Sequence, residues 1–405
     1  MTRRDRVLAA LRFEETPQAP RDLGAMKSTG ISAFGYPRLV EALGLPPRRP
    51  RVHDTGQMLA LPDLDVLDAL DCDVVTIDGG VTNAFQEPEK WRAYDFGGRL
   101  PAMVQYPEAF ELEPDGTLVQ WKSARMPPTS YVFNEDHSGQ PILDLDQPLP
   151  LLDLDAHRKR LEASVVTDEQ VRTTTDLARR VRESTDRAVF FTDYCGSGIG
   201  IGGHSGIGIF PIICKLEPDY VHEYHDMTIA RAIANVRALL PELRGLVDII
   251  MTTADDWGTQ NSLIASKQTY RDLFLPYYRR LNDEIHRILP DVRIFMHNCG
   301  AIYDILDLIV ESGFDVLNPV QWPAGGRSYA EWKDRARGRL AFWGGGLNTQ
   351  HTLPHGTVEE VQAEVRTVVR RLREGGGYVF NNVHNLLAEI PPEKIIAMYQ
   401  AAAEA

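Results

Sequence analysis

Short apolar runs alternate with amphipathic stretches of about 12 or more residues along most of this 405-residue chain. That alternation dictates a parallel sheet. Parallel neighbours need a crossover connection, usually a helix, and strands buried on both faces read as near-continuous apolar runs. The runs are 72–77, 188–193, 246–251, 292–297, 316–318, 340–343 and 377–381, and Gln18-Ala19-Pro20-Arg21 is read as a further short strand. Helical patterns cover 3–13, 39–43, 64–70, 168–183, 220–240, 267–288, 301–312, 358–373 and 391–403. About eight βα units fit a closed (β/α)8 TIM barrel better than an open doubly wound sheet.

Residues 82–152 break the pattern. Pro, Gly and aromatic residues are dense there and alternation is short, as in Thr117-Leu118-Val119-Gln120-Trp121. The segment is read as an inserted β-hairpin or cap after the first apolar strand, within a single domain over residues 1–405. No dinucleotide fingerprint and no phosphate-binding loop of the GxxxxGK[ST] type occurs. Residues 196–203 are glycine-dense without that spacing and are read as a mobile loop over the site.

The net charge of -14 argues against nucleic acid and anionic membranes as partners, because phosphate surfaces select basic faces. No apolar run reaches the ~18 residues a membrane helix needs. Cys72, Cys195, Cys214 and Cys299 form no CxxC pair, a pattern of reducing compartments that points to the cytoplasm.

A barrel puts its chemistry just after its strands. The strand ends carry Asp78, then Asp193 and Tyr194, then Asp255 and Asp256, His297 and Cys299, Asn318 and Gln321, Gln350 and His351, and Asn381, Asn382 and His384. His297-Asn298-Cys299-Gly300 offers imidazole and thiolate, which zinc prefers. The alternative is a strand-end histidine satisfied by a backbone hydrogen bond, beside a buried free cysteine. Asp255 and Asp256 could bind a metal, accept a proton, recognise a substrate N–H or cap the following helix. Asn318 and Asn382 admit the same capping alternative, and His384 that of a solvated loop histidine. Arg21 and Lys27 could hold a carboxylate or phosphate, or simply be solvated charges. Crowded ionisable groups argue for an enzyme rather than a carrier.

The chain resembles the uroporphyrinogen decarboxylase superfamily, and within it the branch of corrinoid-dependent methyltransferases. The carriers are Arg6-Val7-Leu8-Ala9-Ala10-Leu11, Asp255-Asp256-x-Gly258-Thr259-Gln260, His297-x-Cys299-Gly300, Val316-Leu317-Asn318-Pro319-Val320-Gln321, Phe342-Trp343-Gly344-Gly345, Gly377-Tyr378-Val379-Phe380-Asn381-x-x-His384-Asn385 and Pro391-Pro392-Glu393-Lys394-Ile395. The resemblance implies a (β/α)8 barrel with its site in the C-terminal mouth. Decarboxylase members use no cofactor and hold a polycarboxylated tetrapyrrole with arginines of the N-terminal loop. This chain has Arg21-Asp22-Leu23-Gly24-Ala25-Met26-Lys27 there, with one of two arginines absent. Polyanionic substrates need several paired cations.

The methyltransferase branch implies zinc at His297 and Cys299, with a cysteine of the last barrel loop as third ligand. Here His384 lies near that position, so His297, Cys299 and His384 are expected as the three protein ligands of a zinc with one open position. The expected reaction moves a methyl group between a methylated corrinoid, carried on a partner protein, and a small acceptor such as a thiol or tetrahydrofolate. Asp78, Asp255 and Asp256 are then expected as catalytic groups, and Arg21, Asp193, Asn318, Gln321 and Asn381 as substrate-binding groups. The alternatives are a cofactor-free decarboxylase and a non-catalytic barrel binding a corrinoid or tetrapyrrole. Barrels of this superfamily are often dimers, which leaves a homodimer open.

Overall fold

In a computed structural model, which describes residues 1–134 and 147–405, seven parallel strands curl into a barrel. They are Val74–Asp78, Ala188–Phe191, Ile249–Ala254, Arg293–His297, Val316–Asn318, Ala341–Trp343 and Tyr378–Val379, each paired with the next. The eighth stave is the N-terminal segment. Arg21 bridges Phe380 in parallel. Phe380 N–H donates to Pro20 O at 2.7 Å, and Asp73 N–H donates to Arg21 O at 2.7 Å. Gln18-Ala19-Pro20-Arg21 therefore closes the sheet between its last strand and its first long one. Pro20 uses only its carbonyl there, as a residue with no N–H must.

The barrel interior is a packed core rather than a pore. Val74, Ala188, Phe190, Ile249, Phe295, Val316, Ala341, Trp343 and Val379 meet inside it. These are alternate strand residues, as the two-residue period requires. Val7 and Leu11 of the helix Arg3–Leu11 join this cluster, as do Ala25 and Met26 of the N-terminal loop. Larger apolar side chains on the outer strand faces pack beneath the surrounding helices.

Most helices follow the sequence reading. Val358–Arg373 begins with a capping box in which Thr357 accepts from Glu360 N–H. The pattern over 267–288 is two helices, Lys267–Leu273 and Leu275–Ile288. Pro276 has no N–H to continue the first helix but fits the opening turn of the second. The pattern over 301–312 is shorter as well, a 3-10 turn Tyr303–Ile305 followed by Leu306–Glu311.

The insertion is a cap of small antiparallel sheets. Arg92–Asp95 pairs with Pro101–Val104, and Leu118–Gln120 lies between Phe110–Leu112 and Ala124–Met126. Tyr94, Phe96, Phe110 and Phe133 pack edge to face or tilted at 4.9–5.7 Å and tie the cap into the main core. The part of the expected insertion at 135–146 lies outside the described residues. Among the described residues, no helix is long and apolar enough to cross a membrane.

Candidate active site

Register brings the site together. The strand Ile249–Ala254 shifts register between Met251 and Thr253, and Ala254 then faces His297. Asp255 N–H donates to His297 O at 2.9 Å. Bulges of this kind re-aim side chains beside active sites. The shift puts Asp256 against the His297 loop: its Oδ1 is 3.4 Å from His297 Nε2 and accepts from Cys299 N–H at 2.9 Å. Ligand atoms of Asp256, His297 and Cys299 all lie within 4.8 Å of one another.

The His297 ring is oriented from behind. Its Nδ1 lies 2.7 Å from Asn318 Oδ1, and Asn318 Nδ2 donates to Trp343 O at 2.8 Å. Because the Asn318 amide group is committed to a carbonyl, its oxygen faces His297. Nδ1 must therefore carry the proton, and the Nε2 lone pair points into the mouth. Ser28 Oγ lies 3.5 Å from that Nε2.

Two glycines set the approach of the loops. A Cβ at Gly258 would stand 2.4 Å from Ala301 N, and one at Gly300 would stand 2.3 Å from Gly258 O, with φ of +87 at Gly300. Gln321 Oε1 accepts from Gly300 N–H at 2.8 Å. The loops bearing Asp256 and Cys299 are thus in backbone contact.

The electrostatics divide the groups. Burial works to raise the Asp256 pKa, but His297 and the Cys299 N–H outweigh it, so the carboxylate is held below its ordinary range. Burial and then Asp256 push the Cys299 thiol well up. Burial first, then His297, pushes His384 down to about 4, with Asp256 opposing. Its ring centroid is 5.7 Å from that of His297. His384 borders the site but is not in the three-residue group, which holds Asp256 in its place.

Several expected residues do other work. Asp255 was expected to be catalytic, but it is buried and its oxygens are taken. Oδ2 accepts from Tyr278 Oη at 2.7 Å and Trp257 Nε1 at 2.5 Å, and Oδ1 accepts from Ile201 N–H at 2.6 Å. It pins the glycine loop to the barrel, and a Cβ at Gly200 would come within 2.7 Å of it. Arg21 was expected to bind substrate. Its guanidinium is instead wholly buried on Asp71, through a direct ion pair and the Asp71 carbonyl, with no face left for a ligand. Asn381 turns to the Asp22 and Thr29 carbonyls.

Asp78 and Asp193 form a second polar group on the mouth. Asp193 accepts from Gly79 and Gly80 N–H at 2.6 and 2.9 Å, and Asp78 accepts from Thr192 Oγ1 at 2.5 Å. His53 Nε2 is 3.9 Å from Asp78, and Lys27 pairs with Asp54 at 3.5 Å. Ser28, His53 and Asp54 were missed by the sequence reading. They sit far from the strand ends in sequence, and no motif spacing ties Ser28 to a histidine 269 residues away.

Residues 213–405 match the model of the family described as Uroporphyrinogen decarboxylase (URO-D). The uroporphyrinogen decarboxylase of Legionella pneumophila (strain Lens) is 26% identical over 181 residues, covering 44% of this chain and 47% of that protein. That of Thioalkalivibrio sulfidiphilus (strain HL-EbGR7) is 30% identical over 149 residues, covering 36% of this chain and 38% of that protein. The chain spans about half the length of the first of these, and less of the second. A methyltransferase from Methanosarcina mazei shares the fold over 100% of this chain and 99% of its own, at a TM-score of 0.56 and 15% identity.

Proposed function

We propose that this chain, whose residues 213–405 match the uroporphyrinogen decarboxylase family model, transfers a methyl group between a methylated corrinoid on a partner protein and a small acceptor. The observation that carries this reading is the convergence of Asp256, His297 and Cys299 at the mouth, with the His297 Nε2 lone pair directed into it. The donor set suits zinc, which takes nitrogen, thiolate and carboxylate ligands. Tetrahedral ligands at about 2.0–2.3 Å stand roughly 3.3–3.8 Å apart, and His297 Nε2 and Asp256 Oδ1 are already 3.4 Å apart. Bound there, zinc would supply a Lewis acid that favours the thiolate form of an acceptor near pH 7.

The chain's own residues do the rest. Asn318 fixes the imidazole tautomer. The Gly258–Gly300 contact holds the Asp256 and Cys299 loops together. His384, kept neutral by burial, stands beside His297 at the edge of the cluster. Asp78 and Asp193 face the far side of the mouth, where they would hold N–H groups of the acceptor. A pterin-like acceptor such as tetrahydrofolate offers such groups, and a simple thiol does not.

The relatives' names favour decarboxylation of a tetrapyrrole as a second reading. The charge around this mouth opposes it. Asp54, Asp78, Asp193 and Asp256 outnumber Lys27, which Asp54 already pairs, and Arg21 is spent on Asp71. A polycarboxylate would meet like charge.

The test is methyl transfer from methylcobalamin to thiols or tetrahydrofolate, followed in the visible spectrum, for the wild type and Cys299→Ser. We expect demethylation by the wild type with one acceptor class and a loss of at least ~100-fold in the variant, the scale of removing a key catalytic group. Turnover of uroporphyrinogen without demethylation overturns the reading, and a spectral shift without turnover assigns a binding barrel.

A further inference from the structure

Away from the mouth, one face of the helix Pro218–Leu239 carries Tyr220, Tyr224, Thr228 and Arg231, spaced as neighbours along a helix surface. Arg231 is half-buried, and it forms no ion pair or hydrogen bond among the described residues. Its Nε is buried without a partner. Burial depresses this guanidinium and no carboxylate offsets the effect. In a chain with 57 Asp and Glu against 43 Lys and Arg, a half-buried arginine without an acid needs an explanation.

A second unsatisfied donor lies near it. His157, on the helix Leu154–Ala163, stacks on Tyr224 at 5.2 Å. Its Nδ1 faces the Arg160 guanidinium at 3.4 Å, so Nδ1 accepts and Nε2 carries the hydrogen. That Nε2 is buried with no partner. His204 packs against the same Tyr224 at 5.4 Å and shares a 2.9 Å hydrogen bond with Tyr220 Oη. The next residue, Ser205, has a buried hydroxyl without a partner. Burial, then Arg160 and Arg231, lowers the His157 pKa from its ordinary value.

Gly198 lies close against Arg231. A Cβ there would stand 2.8 Å from Arg231 Nη2, and its φ is +74. Arg231 Nε and His157 Nε2 are thus buried donors without acceptors, and one of them belongs to a cation. A ligand that completes it must accept hydrogen bonds and carry negative charge.

We infer that Arg231 and His157 form a binding site for an oxyanion, the phosphate or carboxylate group of a small molecule, behind the glycine-rich loop and separate from the metal-ligand cluster. The other face of that loop borders a cavity of about 510 Å³ that reaches Asp255 and Asp256. An anion on Arg231 would hold the loop from outside while the reacting molecules occupy the mouth. The site stands independently of the methyl-transfer reading.

The test is calorimetric titration of the full chain with inorganic phosphate and, separately, acetate, at constant ionic strength set with chloride. The wild type should bind one of the two saturably at one site, and the tighter one names the chemistry. Arg231→Gln should weaken that binding by at least ~10-fold, the scale of a charge-assisted hydrogen bond, and Arg231→Lys should keep part of it. Without anion, Arg231→Gln should melt no lower than the wild type, since it removes an unpaired charge. No saturable heat with either anion, or equal affinity in wild type and Arg231→Gln, overturns the inference.

Discussion

Asn318 accepts a 2.7 Å hydrogen bond from His297 Nδ1 while its own amide is tied to the Trp343 carbonyl. The pair fixes which imidazole nitrogen is free. Partners of this kind behind a metal-binding histidine typically govern affinity by 10–100-fold. Asn318→Ala should therefore weaken zinc affinity by roughly that factor, measured by competition with a chromophoric chelator. Unchanged affinity would show that the ring is oriented by something else.

Gly300 is the tightest point between the two loops. Its φ is positive and its Cα faces the Gly258 backbone. Gly300→Ala adds strain of about 1–2 kcal/mol from the left-handed backbone alone, before the collision with Gly258 is relieved. The loop must shift to relieve it and takes Cys299 along. The variant should lose most zinc binding and melt several degrees lower, while Gly326→Ala, with open space around its Cβ, should cost only the backbone strain. Calorimetric melting and metal content of both variants check this.

Asp255 makes stability depend on pH in a definite direction. Burial raises its pKa to about 6 despite three donors. An unfolded aspartate titrates near 4. The folded value is the higher, so protonation favours the native state. The contribution is full below about pH 4 and is lost as pH rises through 6. The stability of the wild type relative to Asp255→Asn should therefore fall by about 2 kcal/mol from pH 4 to pH 7. Urea unfolding of both proteins across that range tests it, and a flat difference would contradict the assignment.

Trp343 hangs inside the barrel with its indole N–H on Asp22 Oδ2 at 2.9 Å. Trp343→Phe keeps an aromatic ring but strips a donor from a wholly buried carboxylate. A loss of about 1–3 kcal/mol is expected, read as a lower denaturant midpoint with an unchanged slope.

The barrel was legible because its strands are apolar on both faces and its helices are amphipathic. Even the N-terminal stave could be placed from four residues. The split at Phe274 and Pro276 was not, because the apolar period runs through it unbroken. At the site, His297 and Cys299 stood out as zinc-type ligands at a strand end. Asp255 and Asp256 could not be told apart in sequence. Only the register shift at Met251 and Thr253 buries one under Trp257 and Tyr278 and delivers the other to His297. His384 gained weight from its place in a resembling loop, yet the ligand cluster is completed by Asp256. Arg21 read as a substrate clamp because nothing in sequence reveals that its partner is Asp71, 50 residues on. Arg231 gave no signal, since an unpaired arginine is visible only once its neighbours are known.

Zinc content bears most directly on the central claim. Wild type purified without chelators and loaded with zinc should hold one equivalent per chain. His297→Ala, Cys299→Ser and Asp256→Asn should each lose it, and His384→Ala should retain it. A wild type that binds no stoichiometric zinc, or one that loses it with His384 and not with Asp256, would contradict the account.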